Sequence, residues 1–456
     1  MNTGVEHPDL VGAAPPPRRA PMRLRRMDPS DNALPSIVAA AYERPIIKQW
    51  TLVGPVYIVG DPEGVKRVFL DNVANYPKTA MERRFFSTVF GDGLLSSDGD
   101  TWRAHRRAMA PAFAPSSVAS YAAGVADDVV AFQTLWDQAP ADAPIDVARD
   151  MTRLTLQIVS RAMFSADGSA LGGSMETSLS KAMAATQINL LDFAPGIAQA
   201  RQKARKARMA TVFADLDAVV AGMIADRHDA PDGADLLSRL VAARDAETGL
   251  GLTIREIRDQ VVTIFVAGHE TTAAAMAWIW YLLSQHPAEE AKLHAELDTV
   301  LSGAAPTADD LPQLPYTRMV CEEAMRLYPP APGTSTRQAQ AADEICGMKI
   351  PKGALVNVAP WVTHRHKAVW ARPGRFEPER FAKGASSGRH RFAYLPFGAG
   401  PRVCIGAALA QSEMMIILAT LAQRYRLRLA PGHRVAIQHQ VTMRPKGGLP
   451  MTVTRR

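Results

Sequence analysis

Only three of the 456 residues are cysteines, Cys321, Cys346 and Cys404. They are too few and too scattered for a disulfide framework or a zinc cluster, and a reducing cytoplasm follows as the expected compartment. Long apolar runs are also missing. The most apolar stretches, 273–283 and 414–418, fall short of the roughly 18 residues that span a bilayer, so no transmembrane segment is expected and the protein should be soluble. The opening stretch has no apolar core of signal-peptide length. It carries Arg18, Arg19, Arg23, Arg25 and Arg26 among prolines and reads as a flexible basic lead over residues 1–45. No internal repeat and no long linker divides the remainder, so 46–456 is expected to be a single domain. Aromatic residues are sparse at 7%, whereas hydrophobic residues make up 47% and charged residues 21%, a balance that excludes a disordered or fibrous chain. Lysine and arginine exceed aspartate and glutamate by 52 to 45, giving +7. With no nucleic-acid module in view, this surplus suits an acidic protein partner.

Ile46 to Val59 reads as two strands turning near Gly54-Pro55, and Asp61-Pro62 opens a helix. From about Val118 to His228 amphipathic helices dominate. After Tyr328 the texture changes to prolines, glycines and short strand-like pieces such as Ala354 to Val358, interrupted by a helix from Ile405 to about Tyr425. The fold class is therefore mainly α with small β-sheets.

Two segments carry chemistry. Phe397 to Gly406 is a glycine-rich loop delivering Cys404 to the start of an apolar helix. Gly398, Gly400 and Gly406 are expected at positive φ, where the backbone can approach a flat partner. Helix N–H groups near Cys404 favour the thiolate that binds metal. The second segment is a helix opened by the capping box Thr253-Ile254-Arg255-Glu256 and stopped by His286-Pro287, about 32 residues or roughly 48 Å long. At its middle, Ala267-Gly268-His269-Glu270-Thr271-Thr272 places a glycine, an acid and threonines inside an apolar helix, where each costs stability. Ala267 and Thr271 share a face, so the hydroxyl can hold dioxygen or water while glycine opens space.

The Phe-Gly-x-Gly-x-Arg-x-Cys-x-Gly loop and the Ala-Gly-x-acid-Thr string resemble the haem-thiolate loop and the oxygen-activating helix of the cytochrome P450 family. The resemblance runs from about Ile46 to the C-terminus, with its motifs in family order. It implies a triangular helical prism with haem b buried between the long central helix and the cysteine-loop helix. Cys404 is then the axial iron ligand, with Phe397, Gly398, Gly406 and Ala267 against the haem. Trp102, Arg106, Arg337 and Arg402 would reach its propionates. Glu270 and Thr271 would relay protons to iron-bound dioxygen, and Glu323, Arg326 and Arg380 would form a structural triad behind the cysteine loop. Leu95, Phe193, Ala267, Ala331, Thr334 and Val441 would line the substrate pocket.

The activity so implied is monooxygenation of a hydrophobic small molecule such as a fatty acid, terpenoid, steroid or aromatic compound. No reductase or ferredoxin module follows the cysteine, so electrons from NAD(P)H are expected through a separate ferredoxin or flavodoxin and its reductase. Arg103, Arg107, Arg389 and Arg391 are candidates to dock that partner. The same fold also serves isomerases, dehydratases and peroxide-driven enzymes that need no redox partner. The Glu270-Thr271 pair favours oxygen activation over these, and the lack of an output domain disfavours a haem gas sensor or carrier.

Overall fold

The computed structural model describes residues 34, 37–51, 54–139, 143–165, scattered positions from 200 to 227, 235–439 and 441–456. In chain order these form strands β1 (Ile46–Thr51) and β2 (Gly54–Val59), then helices α1 (Pro62–Lys66), α2 (Ala80–Phe90), α3 (Gly99–Met109) and α4 (Pro115–Asp137). Strand β3 (Ile145–Asp146) leads into helices α5 (Val147–Phe164), α6 (Leu236–Ala242), α7 (Ile254–Gln285), α8 (Pro287–Val300) and α9 (Pro315–Leu327). Strands β4 (Arg337–Gln338), β5 (Asp343–Ile345), β6 (Met348–Ile350) and β7 (Leu355–Val358) precede α10 (Pro360–Thr363) and α11 (Ala407–Ala422). The chain closes with β8 (Tyr425–Leu429), β9 (Ile437–His439), β10 (Met443–Pro445) and β11 (Pro450–Arg455).

These elements fall into two compact units. One holds the described residues of 1–77, 125–154 and 271–456, and the other holds those of 78–124 and 155–270. The first unit contains the sheets. Strand order β1-β2-β7-β4 brings β7 parallel to β2, pairing Val56 with Leu355 across some 300 residues of chain, and β11 lies between β3 and β8. The side chains of Val59, Val65, Val68, Tyr76, Val356 and Val358, none measurably exposed, form the core beneath the four-stranded sheet. The α1 start follows its sequence: Asp61 Oδ1 accepts from Glu63 N–H at 2.8 Å, and Pro62 needs no partner at the first helical position.

The second unit is built around the N-terminal half of α7. Thr253 Oγ1 accepts from Glu256 N–H at 3.3 Å while Glu256 Oε2 accepts from Thr253 N–H at 2.8 Å, the reciprocal bonds of a capping box. Glu256 Oε1 also accepts from His105 Nε2 at 3.1 Å, and Gln260 Nε2 donates to His105 Nδ1 at 3.1 Å, which holds α3 on α7. Asp259 and Gln260 receive the N–H groups of Asp92 and Leu94 at 2.8 and 2.9 Å. The turn before Leu95 is thereby pinned to the same helix face.

Candidate active site

In the first unit the loop 397–406 folds back on itself, with Cys404 N–H donating to Phe397 O at 2.8 Å. Gly398 and Gly400 take φ of +75° and +69°. A Cβ on Gly400 would stand 1.9 Å from the carbonyl oxygen of Phe69, so that position excludes every other residue, whereas a Cβ on Gly398 would point into open space. Gly406 differs from expectation: its φ is −88°, because it caps α11 rather than turning the chain. The helix accordingly starts at Ala407, not Ile405, and ends at Ala422, since Tyr425 opens β8. Arg402 ends a one-turn helix, Gly400–Arg402, and Cys404 stands exposed and outside any disulfide.

In the same unit Glu323, Arg326 and Arg380 meet. Glu323 and Arg326 are both fully buried and paired through two bonds of 2.6 and 2.7 Å, and Arg380 Nε reaches Glu323 Oε1 at 3.3 Å. Arg326 also donates to the carbonyls of His364, Pro373 and Arg375 at 2.8–2.9 Å, so its charge knits three loop segments together. His364 accepts at Nε2 from Leu395 N–H at 2.7 Å, while Nδ1 faces Arg326 O at 3.3 Å. Burial first, and the cations Arg326 and Arg365 second, push its pKa down to about 3, so it is neutral and serves as a hydrogen-bonding strut. Arg337 is buried on β4 with its guanidinium over the Phe69 ring, 5.4 Å from the centroid. Phe69 thus links Arg337 to Gly400, a role that nothing about a lone phenylalanine in the sequence signals. Thr334 is half-buried and its hydroxyl donates to Val358 O at 2.7 Å, and Ala331 and Val441 are exposed.

In the second unit the middle of α7 changes character. Phe265 and Val266 are buried and so is every residue of 272–283, yet Ala267 is exposed and Gly268 to Thr271 are half-buried. An open face therefore separates two buried stretches of the helix, and Ala267, Glu270 and Thr271, three and four residues apart, lie along it. Gly268 points elsewhere. A Cβ there would come within 3.1 Å of Val159 Cγ2 on α5, so the space beside this glycine is filled by a neighbouring helix instead of being left open. Trp102 and Arg106 are half-buried on α3, as is Leu95, whose carbonyl accepts from Lys78 Nζ. Phe193 lies outside the described residues.

Of the four candidate docking arginines, three are engaged within their own units. Arg107 makes a bidentate pair with Asp245, both bonds 2.8 Å, and Arg389 donates to Arg380 O while lying 4.3 Å from the Trp370 ring centroid. Arg103 pairs with Asp100, and Arg391 is exposed beside Phe392.

Among the described residues no three histidine, cysteine, aspartate or glutamate side chains gather into a metal-binding group. A single exposed thiol cannot cage a bare ion, but it can complete the coordination of an iron whose other ligands come with a macrocycle. The open space over Gly398 and the exposed Cys404 fit a flat group of that kind. The model of the family described as cytochrome P450 matches residues 31–450. The chain belongs to the cytochrome P450 family. This P450 is 36% identical to cyclooctatin synthase of Streptomyces melanosporofaciens over 393 residues, 85% of this chain and 84% of that one. It is 35% identical to cyclooctat-9-en-7-ol 5-monooxygenase of the same organism, over 83% and 82% of the two chains. Among solved structures, the cytochrome P450DA heme domain superposes with a TM-score of 0.80 at 27% identity, covering 90% of each chain. This P450 is a monooxygenase that uses haem iron and dioxygen. Among the described residues no helix is long and apolar enough to cross a membrane.

Proposed function

We propose that this P450 hydroxylates a terpenoid, drawing electrons from NAD(P)H through a separate ferredoxin or flavodoxin and its reductase in the cytoplasm, and that residues 46–456 act as one haem domain. The observation that carries the reading is the presentation of Cys404, an exposed thiol held by a loop whose glycine at 400 admits no side chain. The terpenoid class is supported by the likeness to the two cyclooctatin enzymes, which extends over more than four fifths of the chain.

Bound haem supplies the iron at which dioxygen is activated and from which oxygen passes to a C–H bond. Everything else falls to the chain's own residues. Cys404 Sγ would bind the iron as thiolate, with Phe397, Gly398 and Gly406 shaping its approach, and Trp102, Arg106, Arg337 and Arg402 would hold the propionates. Ala267 keeps the α7 face shallow on the side of Thr271. Thr271 Oγ1 holds a hydrogen-bonded proton there, and the Glu270 carboxyl replaces that proton from solvent. Leu95, Phe193, Ala331, Thr334 and Val441 receive an apolar substrate and shed water from the site.

The test is the spectrum of the dithionite-reduced protein with carbon monoxide, for the wild type and Cys404→Ser. A strongly red-shifted Soret band that is lost in the variant supports thiolate ligation; an unshifted band in both removes it. Titration with cyclic terpene alcohols should then convert the resting spectrum toward the high-spin form, and fatty acids should do so far more weakly.

A further inference from the structure

We propose that Thr155 and Val159, one turn apart on α5, are positioning residues that set the α7 backbone at Glu270 and Thr271, and that Gly268 is a glycine in order to seat Val159. The proposal rests on the reading of Glu270 and Thr271 as the proton-handling pair.

Three contacts carry it, all where α5 crosses the open-faced turn of α7. Thr155 is fully buried, and its Oγ1 donates to the carbonyl of His269 at 3.0 Å. That carbonyl belongs to the peptide unit whose nitrogen is Glu270, so the hydroxyl fixes the plane from which the Glu270 side chain departs. One turn further along α5, Val159 stands against Gly268 with 3.1 Å left for any added Cβ. Valine in a helix has essentially one side-chain rotamer, so it cannot turn aside, and a methyl at 268 must push the two helices apart. The third contact is internal: His269 Nδ1 donates to Phe265 O at 2.7 Å. The carbonyls of Phe265 and His269, which bracket Ala267 and Gly268, therefore each accept from a side chain. Added donors of this kind bias a helical turn without breaking it, and α7 remains continuous through the segment. An oxygen-room role for Gly268 would instead require its Cβ direction to open on the face of Ala267 and Thr271, and it does not.

The experiment uses the full-length chain and two readouts. One is amide hydrogen exchange across 268–274. The other is the dissociation constant for imidazole, read from the Soret band of the haem-loaded protein. Gly268→Ala should speed exchange and weaken imidazole binding by roughly fivefold, the effect of one lost buried hydrogen bond, and Gly268→Ala combined with Val159→Ala should restore both to within about twofold. Thr155→Val should act like Gly268→Ala, and Thr155→Ser, which keeps the hydroxyl, should act like the wild type. If Val159→Ala fails to rescue Gly268→Ala, the glycine serves the open face and the proposal falls. It falls equally if Thr155→Ser behaves as Thr155→Val, or if neither Gly268→Ala nor Thr155→Val moves either readout. Should Gly268→Ala not fold, the Thr155 pair decides alone. Exchange needs no haem, so a wild type lacking the thiolate carbon monoxide spectrum would sink the monooxygenase site while leaving the helix contact measurable.

Discussion

Single side chains in this P450 show what burial does to ionisable groups. Glu413 sits on α11, nine residues after the ligand cysteine, and is only 7% exposed, with its Oε1 facing no hydrogen-bond partner. Burial alone pushes its pKa up to about 8. The fold thus keeps a proton that the unfolded chain releases above its ordinary value of about 4.3, and stability must fall as pH rises between those two values. Glu413→Gln should raise stability by on the order of 1–2 kcal/mol at pH 8 and change little at pH 4, as read from urea midpoints. An equal gain at both values would show that the proton is not involved. Glu323 is the opposite case in its surroundings, a fully buried carboxyl group with two arginines, Arg326 and Arg380, as partners.

Among the elements, the cysteine loop and α7 were legible for different reasons. The capping box and His286-Pro287 delimit α7 to the residue, because both signals act locally. The pairing of Glu323 with Arg326 follows equally from helical spacing. The loop glycines were only half legible. All three were expected at positive φ, yet Gly406 is a helix cap, and the reason Gly400 must be glycine, the Phe69 carbonyl, lies 331 positions away in the chain. The partners of α7 were hidden for the same reason: Thr155 and His269 are 114 residues apart, and neither residue type announces the other. Local physics writes caps and turns into sequence, whereas the neighbour that fills a notch is settled by packing. Gly400→Ala should therefore abolish haem incorporation, since φ and the 1.9 Å approach both forbid it, whereas Gly398→Ala should cost only about 1–2 kcal/mol for its left-handed backbone. Haem content against protein, with thermal midpoints, separates the two outcomes.

At the scale of the molecule, pH and chain order govern how the fold holds together. His364 and His294 are buried with pKa values near 3 and 4; burial is the larger cause in each, followed by neighbouring arginines. Below about pH 6.5 the unfolded chain takes up protons that these histidines refuse, so stability falls with acid by up to ~1.4 kcal/mol per pH unit for each. Glu413 offsets part of that slope above pH 4.3, which makes the comparison of variants the clean one. His294→Gln should flatten the loss between pH 6.5 and 4.5 relative to the wild type, and an unchanged slope would exclude His294 as a source. Chain order acts through the small sheet in which β11 lies between β3 and β8, with Met451 beside Ile145 on one side and Leu429 on the other. Strand β3 is synthesised about 300 residues before β11, its partner in that sheet, which at 5–20 residues per second is a wait of roughly 15–60 s on the ribosome. Until Pro450 to Arg455 has been made, β3 and β8 lack the strand that joins them, so this sheet closes late in synthesis however early its first strand is made.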